Sequence, residues 1–210
     1  MMNNALTLLK PSEAEIVEKK SRFIAEAAPV TDERAAQEFI ESVRKKNRDA
    51  RHVCYAYYLG GGRTVRCSDD GEPSGTAGLP ILDLIKKRGL NDVVITVTRY
   101  FGGILLGAPG LVRAYSASAK AALDGGELAE YCEVKKFVVS CEYKDFDKLR
   151  YMLESFGAYG IEPGFAEKVD VTFVCDSCLA TDIQRKLLET FSGRIELIDL
   201  GVSNELRPIK

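Results

Sequence analysis

Six consecutive residues, Val93-Val94-Ile95-Thr96-Val97-Thr98, leave this chain little choice of architecture. A β-branched run without polar alternation suits a strand covered on both faces, so it needs one layer above it and one below. Helical patterns stand on either side of it. Leu79 to Arg88 carries apolar residues at 81, 82, 84 and 85, and Pro80 suits a first helical turn, where its missing N–H costs nothing. Gly110 to Leu123 places Leu111, Tyr115, Ala119 and Leu123 on one face, and its many Ala and Ser residues allow close packing on a sheet. The run is therefore expected as a central strand with helices laid against its sheet.

The preceding residues supply the rest of that sheet. Ala14 to Lys19 and Ser21 to Ala28 alternate as two strands joined tightly at Lys20. From Thr31, Ala35, Phe39, Ile40 and Val43 recur at helical spacing, with acids in the first turn and Arg44 to Arg48 in the last, as the helix dipole favours. Val53 to Leu59 and Thr64 to Cys67 flank Gly60-Gly61-Gly62 and read as a second hairpin. Asp124-Gly125-Gly126 ends this unit, and the stretch to Glu133 reads as a linker. A separate βαββαβ pattern follows: strand 134–143, helix 145–156, strands 158–165 and 168–175, helix 181–191 and strand 194–200. Thr181-Asp182-Ile183-Gln184 has capping-box spacing and Ser192-Gly193 provides a stop. The order is ferredoxin-like. The chain is thus expected to be α+β, with domains at 1–126 and 134–205.

Composition narrows the function classes. No apolar run approaches the ~18 residues of a membrane span, and the start lacks a signal-peptide pattern, so the expected compartment is the cytosol, with no membrane partner. Six cysteines then read as thiols. Residues 1–125 hold 18 Lys+Arg against 15 Asp+Glu, whereas 126–210 hold 11 against 16, so any nucleic-acid contact belongs to the first half. Arg44-Lys45-Lys46, Arg48 and Arg51 form the densest basic patch. It reads either as a solvated helix end or as a phosphate-tracking surface.

Two loops border the central strand region, each after a β-rich run and before a helical one, where ligands of layered α/β folds collect. In Ser68-Asp69-Asp70-Gly71-Glu72-Pro73-Ser74-Gly75, the acids Asp69, Asp70 and Glu72 could share a Mg²⁺, or the segment could be a turn with solvated acids. Ser74 could add a hydroxyl or cap the next helix. In Arg99-Tyr100-Phe101-Gly102-Gly103, a guanidinium and two aromatics beside two glycines suit a base or an anion, although Phe101 could equally be core. Gly102 and Gly107 have Walker spacing, but Ala108-Pro109 replaces the Lys-Ser/Thr pair, which excludes a P-loop. His52 is the only histidine, so any histidine-dependent catalysis runs through it. Cys175-Asp176-Ser177-Cys178 has CxxC spacing, but no second CxxC or histidine pair completes a zinc site.

Lys20-Ser21-Arg22-Phe23-Ile24-Ala25, His52-Val53-Cys54-Tyr55-Ala56-Tyr57, residues 69–78, Thr98 to Ile104 and Leu111-Val112-Arg113-Ala114-Tyr115 together resemble the YigZ/IMPACT family. That resemblance implies a first domain similar to the second domain of ribosomal protein S5 and a second similar to the ferredoxin-like domains of elongation factor G. It also implies a link to translation, since eukaryotic IMPACT proteins restrain the amino-acid-starvation kinase by competing for its activator. Family members usually carry glycine where Pro109 stands, and proline removes an N–H from any anion cradle at 107–110.

The expectation is a non-catalytic regulatory protein of translation that binds RNA, the ribosome or a translation-associated protein, with no DNA partner and no cofactor beyond a possible Mg²⁺. Arg99, Tyr100 and Arg113 would contact phosphate or base, with Gly102 and Gly103 permitting close approach. Asp69, Asp70 and Glu72 would hold a metal or a basic partner, with Ser74 beside them. The alternative is a metal-assisted hydrolase of a small phosphorylated substrate using Asp69, Asp70, Glu72 and His52.

Overall fold

A computed structural model describes residues 6–209. The chain divides into two compact units, one comprising 6–131 with 206–209 and the other 132–205.

In the first unit, β1 (Leu6–Leu8) precedes the hairpin β2 (Ser12–Glu18) and β3 (Ser21–Pro29). Its turn is Lys19-Lys20, both at positive φ (46° and 64°), a two-residue geometry that matches the twist of the strands. Helix α1 (Glu33–Lys46) begins at Asp32, whose carboxylate accepts from the Ala35 N–H, and is followed by β4 (His52–Leu59), β5 (Thr64–Ser68) and α2 (Gly78–Lys87). The strand β6 (Val93–Tyr100) and α3 (Ala108–Asp124) complete the set. The sheet runs β2-β3-β6-β4-β5, with every neighbouring pair antiparallel, so the expected central strand is the middle one.

Its two-sided burial is literal. Val94 packs with Ala36, Ile40 and Tyr57 beneath α1, while Val93, Ile95 and Val97 pack with Ile81, Ile85, Leu111, Tyr115 and Ala119 beneath α2 and α3. The antiparallel register sets His52 opposite Arg99, and Arg22 opposite Tyr100. The end of β6 and the starts of β4 and β3 therefore meet at one rim of the sheet.

The second unit is built on β7 (Leu128–Cys141), α4 (Tyr143–Ser155), β8 (Tyr159–Phe165), β9 (Val169–Asp176), α5 (Ser177–Phe191) and β10 (Glu196–Pro208). Its strands run β10-β7-β9-β8, and Phe137, Val139, Phe173, Leu149, Leu153, Ile183 and Leu187 fill its core. This is the expected ferredoxin-like βαββαβ unit, and the mixed α/β two-domain fold stands as read from the sequence.

Two details differ from the sequence reading. The linker stretch is strand from Leu128, because Leu128 to Glu130 pair with β1, a partner more than 100 residues away. Helix α5 starts at Ser177, so Thr181 lies exposed inside it and the capping-box spacing caps nothing. Its stop is as expected, with Ser192 and Gly193 both left-handed.

Candidate functional site

The acidic loop is held down by its own acids. Asp69 accepts from the N–H groups of Gly75, Ala77 and Gly78 at 2.8, 2.9 and 2.9 Å. Ala77, at the N-cap position of α2, has no side-chain acceptor, so Asp69 caps the helix from eight residues upstream. Burial raises the Asp69 carboxyl, but the three backbone donors outweigh it and leave the group below its ordinary value. Asp70, at φ 42°, takes Arg44 Nη2 on one oxygen (2.9 Å) and the Val53 N–H on the other (2.8 Å). Its carbonyl lies 2.7 Å from His52 Nδ1. A carbonyl only accepts, so Nδ1 carries the proton, and in that tautomer Nε2 is the acceptor of the ring.

Glu72 points inward. Its side chain is 4% exposed, and Oε1 accepts from Arg99 Nη1 at 2.7 Å and from the Tyr115 hydroxyl at 2.9 Å. The Arg99 guanidinium lies between the rings of Phe23 and Phe101, 5.5 and 5.4 Å from their centres. Cys54 donates its S–H to the Asp69 carbonyl at 2.9 Å and lies 3.4 Å from the Tyr115 hydroxyl. Burial pushes the Cys54 thiol up to about 12 and the Tyr115 hydroxyl well above its usual value, so neither ionises near neutrality.

The geometry therefore redistributes the expected roles. Asp69, Asp70 and Glu72 each serve a different internal partner, and among the described residues no three His, Cys, Asp or Glu side chains are placed to share a metal ion. Ser74 is exposed and does not cap α2. Arg99 is a buried ion-pair partner, with its Nε unpaired and out of solvent. Tyr100 donates to Asn47 Oδ1 at 2.9 Å under the guanidinium of Arg22.

Gly102 does permit a close approach, but to its own chain: a Cβ there would land inside the Lys20 carbonyl group. Its N–H donates to Ser21 Oγ at 3.1 Å. Gly103 lies in the open at φ 83°. Arg113, exposed on α3, lines a separate depression with Ile16, Glu18, Lys19 and Leu106.

What opens to solvent at this rim is a cleft of about 180 Å³ lined by Arg51, His52, Arg99, Phe101 and Leu105. No carboxylate lines it. Phe101 is 49% exposed and Leu105 82% exposed, and Arg51 is exposed with no ion pair among the described residues. Sequence reasoning placed Arg51 only in a basic patch and left Phe101 open between ligand and core; it did not single out Leu105. The available signal was the run Phe101-Gly102-Gly103-Ile104-Leu105-Leu106, apolar yet without helical or strand period, as an exposed loop would be.

Residues 19–123 match the Impact N-terminal domain, and residues 139–194 match a domain of unknown function, DUF1949. The IMPACT family member YvyE of Bacillus subtilis (strain 168) is 40% identical over 171 residues, covering 81% of this chain and 79% of that protein. The chain belongs to the IMPACT family. A crystal structure described only as that of a hypothetical protein aligns with TM-score 0.62 and 31% identity, covering 96% of this chain and 99% of the other. Human Protein IMPACT is 35% identical over 98 residues, covering 44% of this chain and 30% of that protein. Among the described residues no helix is long and apolar enough to cross a membrane.

Proposed function

We propose that this IMPACT-family chain is a non-catalytic binding module in translation control, engaging RNA or the RNA surface of the ribosome through the cleft at Arg51, His52, Phe101 and Leu105. The observation that carries the reading is the division of labour at this rim. Every acid of the neighbouring loop is committed to a backbone or buried partner, whereas the open cleft presents an unpaired guanidinium, an imidazole and apolar side chains with no carboxylate among them. Such a lining attracts an anion with a flat or apolar body. Upstream of Arg51 in the chain, Lys45 and Arg48 are also exposed and without ion pairs among the described residues, with Asp49 between Arg48 and Arg51. The link to translation rests on the family.

The test is co-sedimentation with purified ribosomes at low and moderate salt. Wild type should pellet at low salt and release as salt rises. Arg51→Ala should stay in the supernatant, and Arg113→Ala should behave as wild type. Arg99→Ala is a poor probe, because it also breaks the buried pair with Glu72. Wild type that never pellets, or Arg51→Ala that pellets equally, overturns the reading.

A further inference from the structure

We infer that the cleft is a subsite for one unpaired nucleotide of single-stranded RNA, with its base on the outer face of Phe101 against Leu105, its phosphate on Arg51, and its ribose 2′-hydroxyl donating to His52 Nε2. This rests on the binding reading above and names the ligand of that same cleft.

Size limits the occupant first. About 180 Å³ falls below the ~300–1,000 Å³ of drug-sized pockets, so the cleft takes one flat group rather than a base pair. Charge comes next. Arg99 is neutralised by Glu72, which leaves Arg51 as the uncompensated cation of the lining and suits a single phosphate.

The platform is already assembled. Phe101 is backed by the Arg99 guanidinium, which is itself fixed by Glu72 and by Phe23, so the ring presents its outer face without reordering. Single-stranded bases stack on such rings, whereas duplexes keep theirs inside. Finally, the His52 tautomer supplies an acceptor at Nε2, since Nδ1 is spent on the Asp70 carbonyl and no partner occupies Nε2 among the described residues. A lone acceptor beside a phosphate-binding cation matches the 2′-hydroxyl, the group that separates RNA from DNA.

The experiment measures fluorescence anisotropy of a labelled octa-adenylate RNA, the same sequence as DNA, and an RNA duplex, each titrated with the full chain over a salt series. The single-stranded RNA should bind tighter than both. Phe101→Ala should weaken it about tenfold or more, with Phe101→Tyr restoring it. Arg51→Ala should lower the slope of log affinity against log salt by about 0.7, the share of one phosphate on a single strand. His52→Ala, checked for folding by circular dichroism, should bring RNA and DNA closer together. The inference is overturned if the duplex binds as well as the single strand, if DNA matches RNA in the wild type, or if Phe101→Ala changes nothing. An acidic peptide that binds where the RNA does not also overturns it. Failure here with Arg51-dependent ribosome binding intact leaves the broader reading standing; loss of both removes the cleft as a binding site.

Discussion

Replacing Asp69 by alanine tests the roles assigned within the acidic loop. In the native protein one carboxylate satisfies the N–H groups of Gly75, Ala77 and Gly78, and two of those donors lie at the open end of α2. Loss of an ordinary N-cap costs about 1 kcal/mol. A hydrogen bond to a charged group contributes ~1.5–3 kcal/mol, and since Asp69 is only partly buried, water recovers part of each. The sum for Asp69→Ala is about 3 kcal/mol. Asp69→Asn keeps an acceptor for Ala77 and Gly78 but turns an amide N–H toward Gly75 or loses that bond, so about half of that is expected.

The assay is urea unfolding followed by far-UV circular dichroism, because the chain has no tryptophan. The pH dependence carries the sign of the depressed carboxyl. Its contribution is complete above the ordinary carboxylate value near 3.8 and is lost as pH falls through the lower native value, so the gap between wild type and Asp69→Asn closes only in strong acid. A loss below ~1 kcal/mol for Asp69→Ala contradicts the cap assignment. So does a wild-type transition that rises with Mg²⁺ in a manner abolished by Asp69→Asn, which would make Asp69 a metal ligand instead.

Two further perturbations probe the same rim. Glu72→Ala leaves the Arg99 guanidinium buried without its carboxylate and should cost about 3–5 kcal/mol in the same unfolding assay, with loss confined to a surface-pair value of ~1 kcal/mol or less arguing against a buried ion pair. Gly102→Ala should destabilise far more than Gly103→Ala in thermal melts. The first must push apart the loop and the Lys20 backbone, whereas the second meets nothing and carries only the ~1–2 kcal/mol of a left-handed conformation. Equal effects would refute the packing role of Gly102.

The parts of the fold that were legible in sequence are those written in hydrophobic period. The Val93 to Thr98 run demanded cover on both faces and has it, and the βαββαβ order of the second unit survived intact because β7, β9, α4 and α5 each bury a regular face, with Ile161 of β8 and Leu197 of β10 packed partly buried against them. What escaped was long-range. The pairing of β1 with Leu128 to Glu130 leaves no local mark, so a strand looked like a linker. The capping-box spacing at Thr181 was a true local signal overridden by a helix already under way from Ser177.

The site was half visible for the same reason. Composition drew attention to Asp69, Asp70, Glu72 and Arg99, and all four do converge on one rim. But a carboxylate that binds a metal and one that caps a helix or neutralises a buried guanidinium are the same letter in the sequence; only the partner, brought from another strand or helix, tells them apart. Conversely, Phe101 could be read as ligand contact or as core and Leu105 drew no notice, and only the course of the loop places both in solvent.

Entry of RNA into the cleft beside His52 can be read directly at this histidine. His52 is the only histidine in the chain, so its ring protons report the cleft in a proton NMR spectrum without further assignment. On titration with octa-adenylate RNA, the His52 ring signals should shift progressively with the bound fraction, and in Phe101→Ala they should stay in place at the same RNA concentration. RNA that binds, as judged by its own signals, while the His52 ring signals do not move would show that it binds outside the cleft.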